Sequence, residues 1–260
     1  MMIRFWQIII GLSLCGLFLF GCQPKAKVEE RKIPQTYICH QSIGKVKIDG
    51  ILDEKDWQKA EPINFYHLRR KDPQDYREPE SPTIGKLLWD KDYFYVSFKA
   101  YDKDIWGYYT ERDETTYRED VLEIFLKPDA QKASYYNFEI NALGTVYDAF
   151  NFKRGFAGGS HRWSKWNCEG LKIGIKVKGS LNNWKDEDEC WVLEVAIPFS
   201  AFKEITLSPK IGDEWSFALC RYDYSVYLEE GRELSSSAKL SKLNFHLWED
   251  YDRLLFSKLR

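Results

Sequence analysis

The stretch Thr116–Leu126, T-Y-R-E-D-V-L-E-I-F-L, decides how this chain folds. Its second half, Val121–Leu126, is β-branched and apolar, the composition of a buried strand. Side chains alternate between faces along a strand, so Leu122, Ile124 and Leu126 share one side, and Val121, Glu123 and Phe125 the other. Glu123 is thus a carboxylate set mid-strand between two apolar neighbours. A buried charge without a partner is costly, so Glu123 needs an internal counter-charge or a wet, concave face. Two other segments repeat the device. In Tyr135–Asn141, residues Asn137, Glu139 and Asn141 oppose Tyr136, Phe138 and Ile140, and Glu194 interrupts the apolar run Trp191–Ile197. Three such interruptions read as a sheet with a polar face turned toward something.

Outward from this stretch, Gly44–Ile48, Ile63–Leu68, Thr145–Phe152, Leu171–Lys178 and Glu214–Tyr222 read as further strands. Ile84–Trp89 and Tyr93–Ala100 form a hairpin across Asp90-Lys91-Asp92. Asp53 is placed to cap a short helix that buries Trp57 and Ala60. Pro198–Phe202 reads as a helical turn, and Arg69–Thr83, charged and proline-bearing, as a long surface loop. Strands at roughly ten-residue intervals with one or two short helices predict an all-β chain, an antiparallel β-sandwich of jelly-roll-like form.

The N-terminal part reads differently. Arg4 precedes an apolar run, Phe5–Phe20, too short to span a membrane comfortably, and the run closes on Leu19-Phe20-Gly21-Cys22. This junction resembles the lipobox of bacterial lipoproteins, in which the cysteine is lipidated and becomes the new N-terminus. Residues 1–22 are therefore expected to be a signal peptide, 23–36 a polar tether, and 37–260 the folded domain. An acyl chain on Cys22 would anchor the domain in the cell envelope without spanning the membrane. Gln23, where inner-membrane sorting would use Asp, resembles outer-membrane sorting.

A net charge near −2 argues against a nucleic-acid partner, which would need a basic stripe. Aromatic residues make up 16% of the chain, more than a core needs, so some are expected to be exposed for binding. Cys39, Cys168, Cys190 and Cys220 lie in the expected exported domain, where a disulfide is open but its pairing is not readable. None of them makes a C-x-x-C spacing, which argues against a zinc or redox centre.

Six phrases now form an ordered series. They are I-D-G-x-L-D-E-x-x-W at Ile48–Trp57, L-W-D-x-x-Y-x-Y-V at Leu88–Val96, and E-D-V-L-E-I-F-L at Glu119–Leu126. Then follow Y-N-F-E-I-N-x-L-G-T-x-Y-D-A-F at Tyr136–Phe150, W-V-L-E-V-A-I-P-F at Trp191–Phe199, and S-S-S…L-N-F-H at Ser235–His246. The series resembles carbohydrate-binding module family 9 and its family-9-like relatives, a branch of the DOMON-type β-sandwiches. The resemblance implies a non-catalytic module whose concave face grips a sugar between two aromatics above polar residues, serving glycoside hydrolases or uptake machinery. By position in the motifs, Tyr117 would be the first aromatic, where the family carries tryptophan, and Glu123 a sugar-binding carboxylate. The second wall would be Trp248, with Asn244 and His246 beside it. Glu139 stands where a family arginine can occur, a departure that bears on which sugar fits. Calcium, where the family binds it, is structural.

Sugars stack C–H faces on aromatic rings and present hydroxyls to paired acceptors and donors, so aromatics over Glu, Asn and Arg suit them. The candidate binding set is therefore Tyr117, Glu123, Glu139, Asn141, Arg221, Asn244, His246 and Trp248. Each has a plainer reading. Tyr117 and Trp248 can cap the core, His246 can be structural, and Glu123 can pair with Arg221 as an interior ion pair. Glu139 and Glu194 share the ion-pair reading, which is favoured for Glu194. Trp57 and Trp89 are assigned to the core. Asp102, Asp104 and Asp113 could offer calcium oxygen ligands, but without EF-hand spacing they read as a solvated loop.

Rival functions have less support. A glycosidase needs two carboxylates at a fixed separation, and 40 acidic residues supply such pairs by chance. A haem-binding DOMON-type redox domain would need a bis-histidine site among His40, His67, His161 and His246, since both methionines lie at positions 1 and 2. A structural or adaptor lipoprotein without sugar affinity is the third reading.

Overall fold

The computed structural model describes residues 34–68, 75–154, 166–206 and 208–258. The strands are β1 (Thr36–Gln41), β2 (Ile63–Asn64), β3 (Tyr66–His67), β4 (Thr83–Trp89), β5 (Tyr93–Tyr101), β6 (Val121–Lys127) and β7 (Tyr135–Asn141). They continue with β8 (Val146–Asn151), β9 (Lys172–Lys178), β10 (Cys190–Pro198), β11 (Glu214–Tyr224), β12 (Arg232–Ser236) and β13 (Asp252–Ser257). One short helix, α1 (Lys55–Lys59), and 3-10 turns at Thr116–Arg118, Phe199–Phe202 and Trp248–Asp250 complete the described elements. No helix among the described residues is long and apolar enough to cross a membrane.

The strands hydrogen-bond in the order β8-β7-β6-β11-β13-β1-β4-β5-β10-β9, with β12 on β11 and β3, and β2 on β4. This sheet curls over itself into a sandwich. Leu122, Ile124, Phe138 and Phe217 from one layer join Leu87, Val96, Phe98 and Leu193 from the other in a single apolar cluster. Each such fully buried side chain contributes about 1.5–3 kcal/mol. The described pairings are antiparallel except those of β1, which runs parallel to both β13 and β4 and bridges the layers.

A second cluster explains the first motif. Val46, Trp57, Ala60, Leu88, Tyr95 and Ala196 pack on the outer side of β4, β5 and β10, so Trp57 anchors the 46–60 segment there. Beneath it, Glu194 accepts hydrogen bonds from Trp57 Nε1 (2.9 Å) and from the backbone N–H groups of Asp49 (3.0 Å) and Gly50 (2.7 Å). The ion pair expected of Glu194 is therefore replaced by three neutral donors. Gly50, at φ +79°, passes so close to β9 that a Cβ would lie 2.6 Å from the Ile175 carbonyl carbon. The motif needs glycine at that position.

Other expectations shift. Gly44–Ile48 is irregular, and the first strand is Thr36–Gln41, which begins inside the expected tether because Tyr37 and Cys39 alternate into the core. Asp53 does not cap α1; Glu54 stands at the cap, where its side chain accepts from the Lys47 N–H (2.9 Å) rather than from the helix. The missed strand β12 is short and serine-rich, so it carries little apolar periodicity. Cys39, Cys168, Cys190 and Cys220 are buried free thiols, and no disulfide joins them. Burial pushes the Cys168 thiol up to about 12 and those of Cys39 and Cys220 well above the ordinary value. Cys22, the rest of the expected signal peptide and His161 lie outside the described residues.

Candidate functional site

Register across the sandwich's outer face builds the site. Glu123 on β6 pairs directly with Glu139 on β7, Glu139 with Tyr147 on β8, and Glu123 with Cys220 on β11. One row thus reads Tyr147, Glu139, Glu123, Cys220. The neighbouring row brings Asn141, Val121 and Tyr222 onto the same face. Alternation therefore does assemble the polar floor that the two strands foretell.

Glu123 is 2% exposed, and no hydrogen bond among the described residues reaches its carboxylate. Burial, and then the facing Glu139, push its pKa well above the ordinary range. Glu139 accepts from Thr116 Oγ1 (2.9 Å) and, more distantly, from Asn137 Nδ2 (3.4 Å). Burial raises it to about 7 against those two donors. Further along the face, Asn137 Oδ1 and both polar atoms of Asn151 are buried without a partner. The floor carries more acceptor capacity than its own donors fill.

The rim is aromatic. Tyr117, 41% exposed, rides on the 3-10 turn that leads into β6. Its ring lies 6.3 Å from Tyr222, which stacks on Tyr224 at 6.4 Å with 9° between the planes. The acidic pair before β6 fixes this turn. Glu119 accepts from the N–H groups of Tyr108 (2.6 Å) and Tyr109 (3.1 Å), and Asp120 from those of Trp106 (2.5 Å) and Tyr224 (2.7 Å). Tyr147, Tyr222 and Tyr224 join the candidate face without having been singled out from the sequence. The alternation Ala218, Cys220, Tyr222, Tyr224 holds the signal for the last two.

The remaining candidates divide. Asn141 lies on the floor's edge, but its amide donates to Glu119 (2.5 Å) and Tyr109 O (2.8 Å) and accepts from Leu143 and Thr145. It holds the loop that carries the rim. The C-terminal segment covers the far end of the same face. His246 Nδ1 meets Tyr135 Oη at 2.6 Å, and burial, then Arg154, lower its pKa to about 4. Trp248 is half-buried beneath Lys127 (4.8 Å) and Arg154 (5.5 Å), with its indole N–H unpartnered. Asn244 accepts from the His246 N–H of its own turn (3.0 Å). The structure thus places Trp248 against the cluster of Phe125 and Tyr135, on which the rim residue Tyr222 also packs.

Arg221 is not on this face at all. It pairs with Leu122 in register, so its side chain enters the opposite side of the sheet from Glu123, and the expected Glu123–Arg221 ion pair does not form. Its guanidinium, 1% exposed, donates to Asp102 (2.7 Å), Tyr101 O (2.8 Å) and Thr83 Oγ1 (3.1 Å), and lies 3.3 Å from Asp223. Burial works against its charge, and Asp223, Asp102 and Asp120 more than restore it. Oxygens of Asp102, Asp120 and Asp223 lie within 4.8 Å of one another, a hard-cation donor set already shared with a guanidinium. Asp102 and Asp104 are buried, not solvated as expected, whereas Asp113 is exposed. Asp102 also borders an open cleft of about 580 Å³ with Glu80, Tyr101 and Tyr227. His40 meets Lys258 O and His67 meets Glu233, so the three described histidines are held by different groups.

Comparison with solved structures finds the same fold. A family 9 carbohydrate-binding module from Caldicellulosiruptor kristjanssonii in complex with cellotriose matches at 14% identity and TM-score 0.58, covering 87% of this chain and 95% of that one. The same kind of module from that organism in complex with glucose gives 14% identity and TM-score 0.55, over 87% and 97%. A Bacteroides uniformis protein named as a candidate carbohydrate-binding protein gives 16% identity and TM-score 0.65, over 86% and 100%. No curated protein matches the chain. The family model described as "Carbohydrate family 9 binding domain-like" matches residues 48–239, most of the chain, from the Glu194-bound motif through the Glu123–Glu139 floor to β12. The chain belongs to the carbohydrate family 9 binding domain-like family.

Proposed function

We propose that this protein is a non-catalytic carbohydrate-binding lipoprotein that holds a saccharide over the outer face of β6, β7 and β11. The observation that carries the reading is the composition of this face. A floor of buried acceptors, Glu123 and Glu139, lies below an aromatic rim whose outermost ring, Tyr117, is open to solvent. Aromatic faces take the C–H surface of a sugar ring, and the carboxylates take its hydroxyls. Family membership and the sugar-bound relatives of the same fold support binding rather than bond cleavage. Asn141 and Glu119 act by holding the rim loop, and Trp248 extends the surface at its far end.

The test is a saccharide array read with the wild-type chain and with Tyr117→Ala. Binding that drops with the variant supports the site; equal binding by both would move it elsewhere. Residues 19–22, Leu-Phe-Gly-Cys, support the second half of the proposal, anchoring at the cell envelope through Cys22 with sorting to the outer membrane. There the module would serve polysaccharide capture beside glycoside hydrolases or uptake machinery. Cys22→Ser should abolish acyl labelling and release the protein from the membrane fraction.

A further inference from the structure

The floor sets two buried carboxyl groups against each other, and no cation among the described residues reaches them. Glu123 and Glu139 are directly opposed on adjacent antiparallel strands, where two facing charges would destabilise the sheet, and burial raises both pKa values accordingly. The charged groups of the described residues leave the pair uncompensated. Arg118 sits out on the rim over Tyr117, while Lys127 and Arg154 lie over Trp248 at the other end of the face. Lys127 is further tied to backbone carbonyls of Asp129 and Lys132, and Arg154 to Glu249. The neutral donors Thr116 and Asn137 both go to Glu139, leaving Glu123 with none. Tyr147, Tyr222 and Cys220 complete the wall.

We infer that this face selects an amino sugar, its ammonium held by Glu123 and Glu139 and its ring against Tyr117 and Tyr222. This deepens the carbohydrate reading and rests on it. A hydroxyl offers one donor and no charge, so a neutral sugar leaves the opposed carboxylates uncompensated. An ammonium brings three donors and the missing positive charge, in a buried place where charge-assisted bonds are strong. The tyrosine faces of the rim favour a cation as well. Replacement of amine by acetamide removes the charge and adds bulk, so the N-acetylated sugar should be excluded.

The experiment uses the full-length chain in a sugar-free detergent, on matched saccharides differing only in hydroxyl, amine or acetamide at C2. The set spans gluco, galacto and manno series and includes cellotriose, deacetylated chitotriose and its N-acetylated form. Calorimetry should show the amine member bound roughly ten- to a hundredfold more tightly than its hydroxyl counterpart, the span of a charge-assisted contact. That preference should persist in high salt, because buried charges are poorly screened. Glu123→Gln and Glu139→Gln, both verified as folded by thermal melts, should each remove most of it. Equal or tighter binding of hydroxyl saccharides would overturn the amino-sugar inference and leave the carbohydrate reading standing. An amine preference that survives both substitutions would also overturn it. Binding of no saccharide in any series would overturn both.

Discussion

Arg221→Met removes the cation from a buried cluster and leaves its carboxylates behind. In the native protein the guanidinium is 1% exposed, bonded to Asp102, Thr83 and the carbonyls of Ser81 and Tyr101, and close to Asp223. Methionine fills much of the volume, so lost packing is the smaller part of the effect. The larger part is a group of buried acids without compensation, and removing one partner of a buried ion pair costs about 3–5 kcal/mol. For a domain of this size that is a fall in Tm of roughly 6–20 °C. Arg221→Lys keeps the charge but loses the fork that reaches several acceptors at once, so its loss should be intermediate. Melts at pH 5 and pH 8 add a second constraint. Burial already raises Asp102 to about 7 and Asp120 well above its ordinary value, so in the methionine variant protonation at pH 5 should recover part of the deficit. A methionine variant melting within 2 °C of wild type at pH 8, an interval worth only about 1 kcal/mol, would refute the claim that Arg221 neutralises this cluster.

Three further outcomes are expected. Stability of the wild-type protein should fall as pH rises from about 4 to 7, because Glu139 (raised to about 7) and Asp252 (to about 6) keep protons in the folded state that the unfolded chain has released. For Asp252 alone the shift corresponds to about 3 kcal/mol, and urea titrations across that range should show the slope. Trp57→Ala should cost about 3–5 kcal/mol by leaving a cavity in the outer cluster, and also strip one donor from Glu194; an unchanged urea midpoint would place Trp57 outside the core. Glu123→Gln should raise the unliganded Tm, since it removes one of two opposed buried acids, and a lowered Tm would mean the carboxylate has a stabilising partner.

Much of this was legible from alternation. Period-2 patterning in Val121–Leu126 and Tyr135–Asn141 placed Glu123, Glu139, Asn137 and Asn141 on one face, because side-chain direction along a strand is local information. Arg221 shows where such reading stops. Its parity within β11 is local, but which face that parity meets on β6 depends on the pairing of Cys220 with Glu123, set by contacts a hundred residues apart. Asp102 and Asp104 looked solvated for the same reason, since their partners Arg221 and Val226 are remote in sequence. Glu194 misled through chemistry: an ion pair was expected, yet two backbone N–H groups and an indole suffice.

The parallel placement of β1 carries a consequence for the order in which the chain acquires its fold. Thr36 pairs with Arg253 and Cys39 with Phe256, so the strand that emerges first has its most extensive ladder with the strand that emerges last. Contacts of such long sequence separation form slowly, since the loop between them must be closed before they yield any stabilisation. Until β13 arrives, β1 has only its short pairing with β4 at His40 and Gln41, and β11 lacks its neighbour at Glu214–Phe217. A chain stopped before Asp252 therefore keeps two unpaired edges in the middle of its sheet, a form open to aggregation.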